Sequence, residues 1–175
     1  VPRSVHWLRP VGWLPGLGAL VRRGMTAAIG AGLGVHPKMA GLLQYGGSWA
    51  GAYLLRRSVY MPWELGELLD PEMLKEGLRR LAPLRRIGAT LHDGGSLGDF
   101  DRVAALETSL YMRNQLLRDA DWAGMAHSVE IRVPYVDPFF LAALPSGEVL
   151  ARVNAKAAIA DIPAPPLPAA SSARR

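Results

Sequence analysis

Charged side chains crowd into one short stretch of this chain. Between Arg118 and Asp137 stand four carboxylates (Asp119, Asp121, Glu130 and Asp137) and two guanidiniums (Arg118 and Arg132), interleaved with small and apolar residues. An isolated ion among apolar neighbours is costly, so charges at this density must be paired, hydrogen-bonded or turned to water. Two outcomes are open: an ion-pair network that holds a loop, or a pocket that receives a charged substrate. The other reactive types are sparse. No cysteine is present, which excludes a disulfide framework and a thiolate metal site. His6, His36, His92 and His127 show no ligand spacing, and no metal site formed by protein side chains is expected.

Net charge is +5, a balance that attracts polyanions. The arginines come as pairs, Arg22-Arg23, Arg56-Arg57, Arg79-Arg80, Arg85-Arg86 and Arg174-Arg175, and not as a basic stripe with interleaved aromatics. Solvated helix faces are the simpler reading, and neither nucleic acid nor membrane is expected as a partner. No secretory signal is visible. The uncharged run Met39–Leu55 is too short and too rich in Gln44, Gly46, Gly47 and Ser48 to span a bilayer, so it reads as buried helix and turn. The cytoplasm is the expected location.

The elements that position the charged stretch are mainly helical. Pro10 and Pro15 break residues 3–23 into short pieces, and glycine-rich Gly24–Gly34 reads as a flexible connection. No β-branched strand precedes Gly30-Ala31-Gly32, which weakens a phosphate cradle there. Helices are expected over Pro37–Gly46, over Trp49–Arg57 behind a Ser48 cap, over Pro62–Leu69, and over Pro71–Leu81 behind an Asp70 cap. His92–Ser96 is a loop. Val103, Leu106, Leu110, Asn114 and Leu117 mark one face of a helix that begins near Asp99 or Asp101. Val129, Ile131, Val133 and Tyr135 alternate with polar residues and Pro134, the pattern of an edge strand. Asp137-Pro138 then starts a last short helix, Phe139–Leu144.

Asp121, the run Met125-Ala126-His127-Ser128-Val129-Glu130 and the run Arg132-Val133-Pro134-Tyr135-Val136-Asp137 together resemble the C-terminal signature of glutamine-hydrolysing asparagine synthetases, Asp-Arg-x-Ser-Met-Ala-x-Ser-Leu-Glu-x-Arg-x-Pro-Phe-Leu-Asp. The helix Glu107–Leu117 is similar to the one that leads into that signature. The resemblance is strong over 107–137 and looser elsewhere. Trp122 stands where the family usually has Arg, and Gly124 where it has Ser.

The resemblance implies that residues 1–162 are part of a synthetase domain, the helical C-terminal part of an α/β adenine-nucleotide α-hydrolase-like fold. Residues 163–175, rich in proline and then polar, form a tail expected to be poorly ordered. It implies ATP and Mg²⁺ as cofactors, aspartate and glutamine as substrates, and a two-step reaction through an acyl-adenylate that ammonia attacks. The family's pyrophosphate loop, glutaminase domain and Lys-Thr-Gly-Phe segment have no counterpart in the chain. The expected partners are therefore those missing parts of the same protein, and the chain alone is expected to be inactive, as a fragment or a degraded copy.

Catalytic residues are not assigned, because the loops that would carry them have no counterpart here. Glu130 and Arg132, supported by Asp121, are the candidates for the rim of the substrate pocket; a Glu130–Arg132 pair that only fixes the turn before Pro134 is the competing reading. His127 reads as a satisfied polar side chain and not a general base, Met125 as core packing and Asp137 as a helix cap. Two other functions stay open. One is a related amide-forming synthetase, such as a β-lactam synthetase or a natural-product amidotransferase. The other is a non-catalytic helical module that binds through Trp49 and Trp63.

Overall fold

The computed structural model describes residues 2–10, 16–32, 36–91 and 97–144, with the single positions 149 and 165. Every regular element among the described residues is helical. The chain divides into two compact units, Val1–Ala120 and Asp121–Arg175.

In the first unit, α1 (Pro2–Leu8) and α2 (Leu17–Gly30) precede a 3₁₀ turn, Pro37–Gly41, that runs into the single α-helical turn α3 (Leu42–Tyr45). The glycine-rich stretch is thus a correction: Gly24 and Gly30 lie in α2, and Gly34 lies outside the described residues. Helix packing has overridden the weak intrinsic propensity of glycine. The reason is visible at Gly18, where an added Cβ would sit 2.7 Å from Gln44 Cα, so α2 and the segment 37–45 pack backbone to backbone.

Helix α4 (Trp49–Arg57) begins where Ser48 Oγ accepts the Gly51 amide at 3.1 Å. It supplies much of the core: Ala52, Tyr53 and Leu55 are all buried. Pro62–Leu69 is not a full helix; turns and one 3₁₀ turn, Leu65–Glu67, occupy it. Helix α5 (Pro71–Leu81) starts as expected, with Asp70 Oδ1 accepting the Glu72 and Met73 amides at 2.9 and 3.2 Å. Ala82, at φ 41°, turns the chain directly into α6 (Pro83–Ala89), a helix not anticipated from the sequence. Residues 92–96, expected as a loop, lie outside the described residues.

Helix α7 (Asp99–Leu106) continues without a break into ten π-helical residues, Glu107–Leu116, and then into α8 (Leu117–Met125). The Leu117 amide bonds to the Met112 carbonyl five residues back, the spacing that defines a π turn. Tyr53, Ile87 and Leu106 form the centre of the core, with Ala50, Leu54, Leu91 and Leu110 packed around them.

The division between units falls within α8. In the second unit, residues 129–133 pair with no strand, and Pro134–Val136 form a 3₁₀ turn. The alternation of Val129, Ile131, Val133 and Tyr135 is real in the sequence, but no neighbouring strand satisfies it. Helix α9 (Pro138–Ala142) follows, its first amides, Phe139 and Phe140, accepted by Asp137 Oδ1 at 2.8 and 3.3 Å. The expected tail, 163–175, lies outside the described residues apart from position 165.

Candidate functional site

Geometry in the second unit is set by how α8 ends. The Val129 amide bonds to the Gly124 carbonyl at 2.9 Å, and the Ser128 amide to the Met125 carbonyl at 3.0 Å. These are the two bonds of a Schellman cap, with Ser128 at the left-handed position (φ 58°) that glycine usually takes. Gly124 is buried, and a Cβ there would lie 2.6 Å from the Val129 carbonyl oxygen and 3.0 Å from the Ile131 side chain. The departure at 124 therefore lets the returning chain lie against the helix.

Directly after this turn, Arg132 Nε donates to Glu130 Oε1 at 3.0 Å, with both side chains largely in water (83 % and 71 % exposed). The structure brings these two candidates together and leaves them accessible. Asp121 is also exposed, on α8. His127 is exposed. Met125 is 58 % exposed, so the expectation of core packing does not hold: the chain leaves α8 before anything covers this side chain. Trp122 is 64 % exposed.

A second polar cluster lies wholly in the first unit. Arg57 on α4 grips Glu107 with two bonds, Nε to Oε1 at 3.1 Å and Nη2 to Oε2. The same guanidinium stacks 3.7 Å from the centroid of the Tyr111 ring. The Glu107 hydrogen bond, the larger cause, holds the Arg57 proton more firmly than usual. One helical turn earlier, Tyr53 donates from its hydroxyl to the Leu106 carbonyl at 3.2 Å. Burial, and then the negative charge of Glu107, push the Tyr53 hydroxyl pKa upward, against a smaller opposing effect of Arg57. Tyr53 and Arg57 thus clamp the junction where α helix becomes π helix.

Sequence reading missed this cluster because Arg56-Arg57 looked like a solvated pair. The available signal was the matched spacing: Tyr53/Arg57 and Glu107/Tyr111 are both four apart, so each pair shares one helix face. Beside it, Pro2, Arg56, Asp99, Phe100, Val103 and Glu107 line an open cleft of ≈ 410 Å³. Asp99 is engaged there by His6 Nε2 at 2.7 Å. Other arginines do behave as surface charge: Arg79 and Arg80 both bond to exposed Glu76 at 2.6 Å and hold its carboxyl below the usual range.

Asparagine synthase is the family whose model matches this chain, over residues 30–156, and the chain belongs to that family. Membership supports, at family level, an ATP-dependent, amide-forming synthetase of ligase type. No curated protein and no solved structure matches the chain.

ATP and Mg²⁺ are the groups the family implies, and the described residues do not fit them. No group of three or more His, Asp or Glu side chains among them could hold a metal ion. The Gly24–Gly32 stretch that might have cradled phosphate is spent on helix α2 and the turn after it. No helix among the described residues is long and apolar enough to cross a membrane.

Proposed function

We propose that this chain is the helical portion of a glutamine-dependent asparagine synthetase and that its segment Asp121–Asp137 forms one rim of the aspartate pocket. The overall reaction adenylates the side-chain carboxylate of aspartate with release of pyrophosphate. Ammonia from glutamine then displaces AMP to give asparagine. The phosphate-binding loop, Mg²⁺ site and glutaminase belong, in this reading, to further parts of the same protein, which works in the cytoplasm.

The observation that carries the reading is the exposed Glu130–Arg132 pair, held at a fixed place by the Schellman cap of α8. Opposite charges two residues apart suit a zwitterionic amino acid: a guanidinium receives a carboxylate, and a carboxylate receives an ammonium. Because both side chains are wet, exchanging one partner for a substrate group costs little.

ATP–pyrophosphate exchange, assayed on the chain together with the sequence that flanks it in its gene, tests the proposal. Aspartate should support exchange, and Glu130→Gln or Arg132→Met should each lower it by roughly tenfold or more, the effect of losing one charge-assisted hydrogen bond to substrate. Exchange supported by a different carboxylate, and not by aspartate, would replace asparagine synthetase with a related amide-forming synthetase. Trp122 and Gly124, both departures within the signature, are the residues that favour that second reading. A binding module built on Trp49 and Trp63 finds less support. Trp49 is half-buried against His6 and under Arg102, and Trp63 is half-buried between Tyr45 and Arg22.

A further inference from the structure

Two cations of the first unit face a cleft whose walls hold no carboxylate. Lys38 and Met39 of the 3₁₀ turn, Leu42 of α3, and Ala52, Leu55 and Arg56 of α4 line an open space of ≈ 200 Å³, and Ser4 of α1 borders it too. The apolar part of this lining belongs to the core: Ala52 is 5 % exposed and Leu55 7 %. Lys38 is half-buried, and Met39 and Arg56 are exposed.

Two other clefts of this unit mix their charges. Arg22 and Arg23 share one with Glu64 and Glu67. Arg56 also borders the cleft of Asp99 and Glu107, but those carboxylates are already held by His6 and Arg57. Neither Lys38 nor Arg56 forms an ion pair among the described residues. Lys38 Nζ donates to the Arg56 carbonyl at 3.4 Å, which ties the ammonium to the end of α4 and uses one of its three donors. Like charges on one rim repel, and an anion between them removes that cost.

We propose that this cleft binds a small amphiphilic carboxylate, its headgroup at Arg56 and Lys38 and its apolar body on Met39, Leu42, Ala52 and Leu55. A guanidinium takes a carboxylate through two parallel bonds, and an ammonium supplies a further donor. Walls without an acid set the sign of the ligand's charge, and the apolar lining calls for a hydrocarbon body, which a bare ion lacks. At ~30 Å³ for each water-sized group, the cleft has room for roughly seven heavy atoms, about the size of pentanoate. Aspartate suits it poorly, because a second carboxylate and an ammonium would lie on apolar side chains. The site is therefore distinct from the aspartate rim proposed at Glu130 and Arg132, and it does not depend on that assignment.

Methyl-labelled methionine gives the test, because Met39 lines the cleft. The chain is titrated with sodium hexanoate while the Met39 methyl resonance, assigned through Met39→Leu, is followed. The resonance should shift to saturation with a Kd on the order of 1 mM. Across the series from acetate to pentanoate, affinity should rise roughly threefold per methylene, then level off beyond hexanoate, where the cleft is full. Arg56→Gln and Lys38→Gln should each weaken hexanoate by roughly fivefold, the worth of an accessible ion pair, with helicity by circular dichroism unchanged. Hexan-1-ol should bind at least as weakly as hexanoate binds to those variants, and hexylamine and aspartate should leave Met39 unmoved. No Met39 shift at roughly 20 mM hexanoate, equal affinity for hexan-1-ol and hexanoate, a shift with aspartate as large as with hexanoate, or unchanged affinity in a folded Arg56→Gln variant would each overturn the site.

Discussion

Ser128 occupies the one position in the signature segment where backbone conformation and residue type disagree. At φ 58° it closes the cap of α8, and a side chain in that region costs ~1–2 kcal/mol that glycine does not incur. Glycine carries more unfolded-state entropy, which offsets part of the gain. Ser128→Gly should therefore stabilise the second unit by about 0.5–1 kcal/mol, read as a higher urea midpoint at unchanged slope. A lower midpoint would mean that the serine hydroxyl, and not the turn, sets this position. Glu130 and Arg132 follow within four residues, so the strain sits at the base of the proposed pocket rim. Such placement is common where a side chain must be held in one direction.

The junction of α7 with its π-helical continuation depends on α4, and its chemistry has a pH signature. Tyr53 is 4 % exposed, and its hydroxyl donates to the Leu106 carbonyl, so ionisation is disfavoured in the folded state. Tyrosine in the unfolded chain titrates near 10. Above that pH the unfolded chain holds fewer protons than the folded one, so stability falls as pH rises. Wild type should exceed Tyr53→Phe by about 1 kcal/mol at pH 7, the worth of one buried hydrogen bond. That margin should shrink between pH 9 and 11, because the phenylalanine variant has nothing to titrate at this site. A margin that stays constant across the range would show that the phenol ionises equally in both states. Elements governed by caps were legible in the sequence: Ser48, Asp70 and Asp137 each open a helix as read, because a cap is a local bond between residues two or three apart. Elements governed by neighbours were not. Helix α2 is held by backbone approach to 37–45, and the alternating run 129–135 lacks a strand to pair with; neither fact is written within the segment itself. The candidate site divided in the same way. Glu130 and Arg132 stood out as opposite charges two residues apart, whereas the Arg57–Glu107–Tyr111 cluster joins residues about fifty apart and showed only as matched four-residue spacings.

Among the described residues, exposed apolar side chains far outnumber buried ones. The buried hydrophobic residues among those described are Val5, Ala40, Ala52, Tyr53, Leu55, Met61, Ile87 and Leu106, all in the first unit, while Trp7, Val59, Trp122 and Phe139 each stay more than 60 % exposed. A core this small leaves little margin over the conformational entropy that folding must overcome. It also concentrates the stability of the first unit in very few positions. Leu106, at 0 % exposure, sits between Tyr53 and Ile87 and gives its carbonyl to the Tyr53 hydroxyl, so it joins α4, α6 and α7 at one point. Leu106→Ala should cost ~2–5 kcal/mol, comparable with the whole stability of a marginal domain, and should remove the cooperative thermal transition of the first unit. Leu91→Ala, at the partly exposed margin of the same cluster, should leave that transition in place at a lower temperature. Calorimetry on both variants distinguishes a core hinged on one residue from one spread over many: equal losses at 106 and 91 would show that the packing around Tyr53 and Ile87 is loose enough to absorb either cavity.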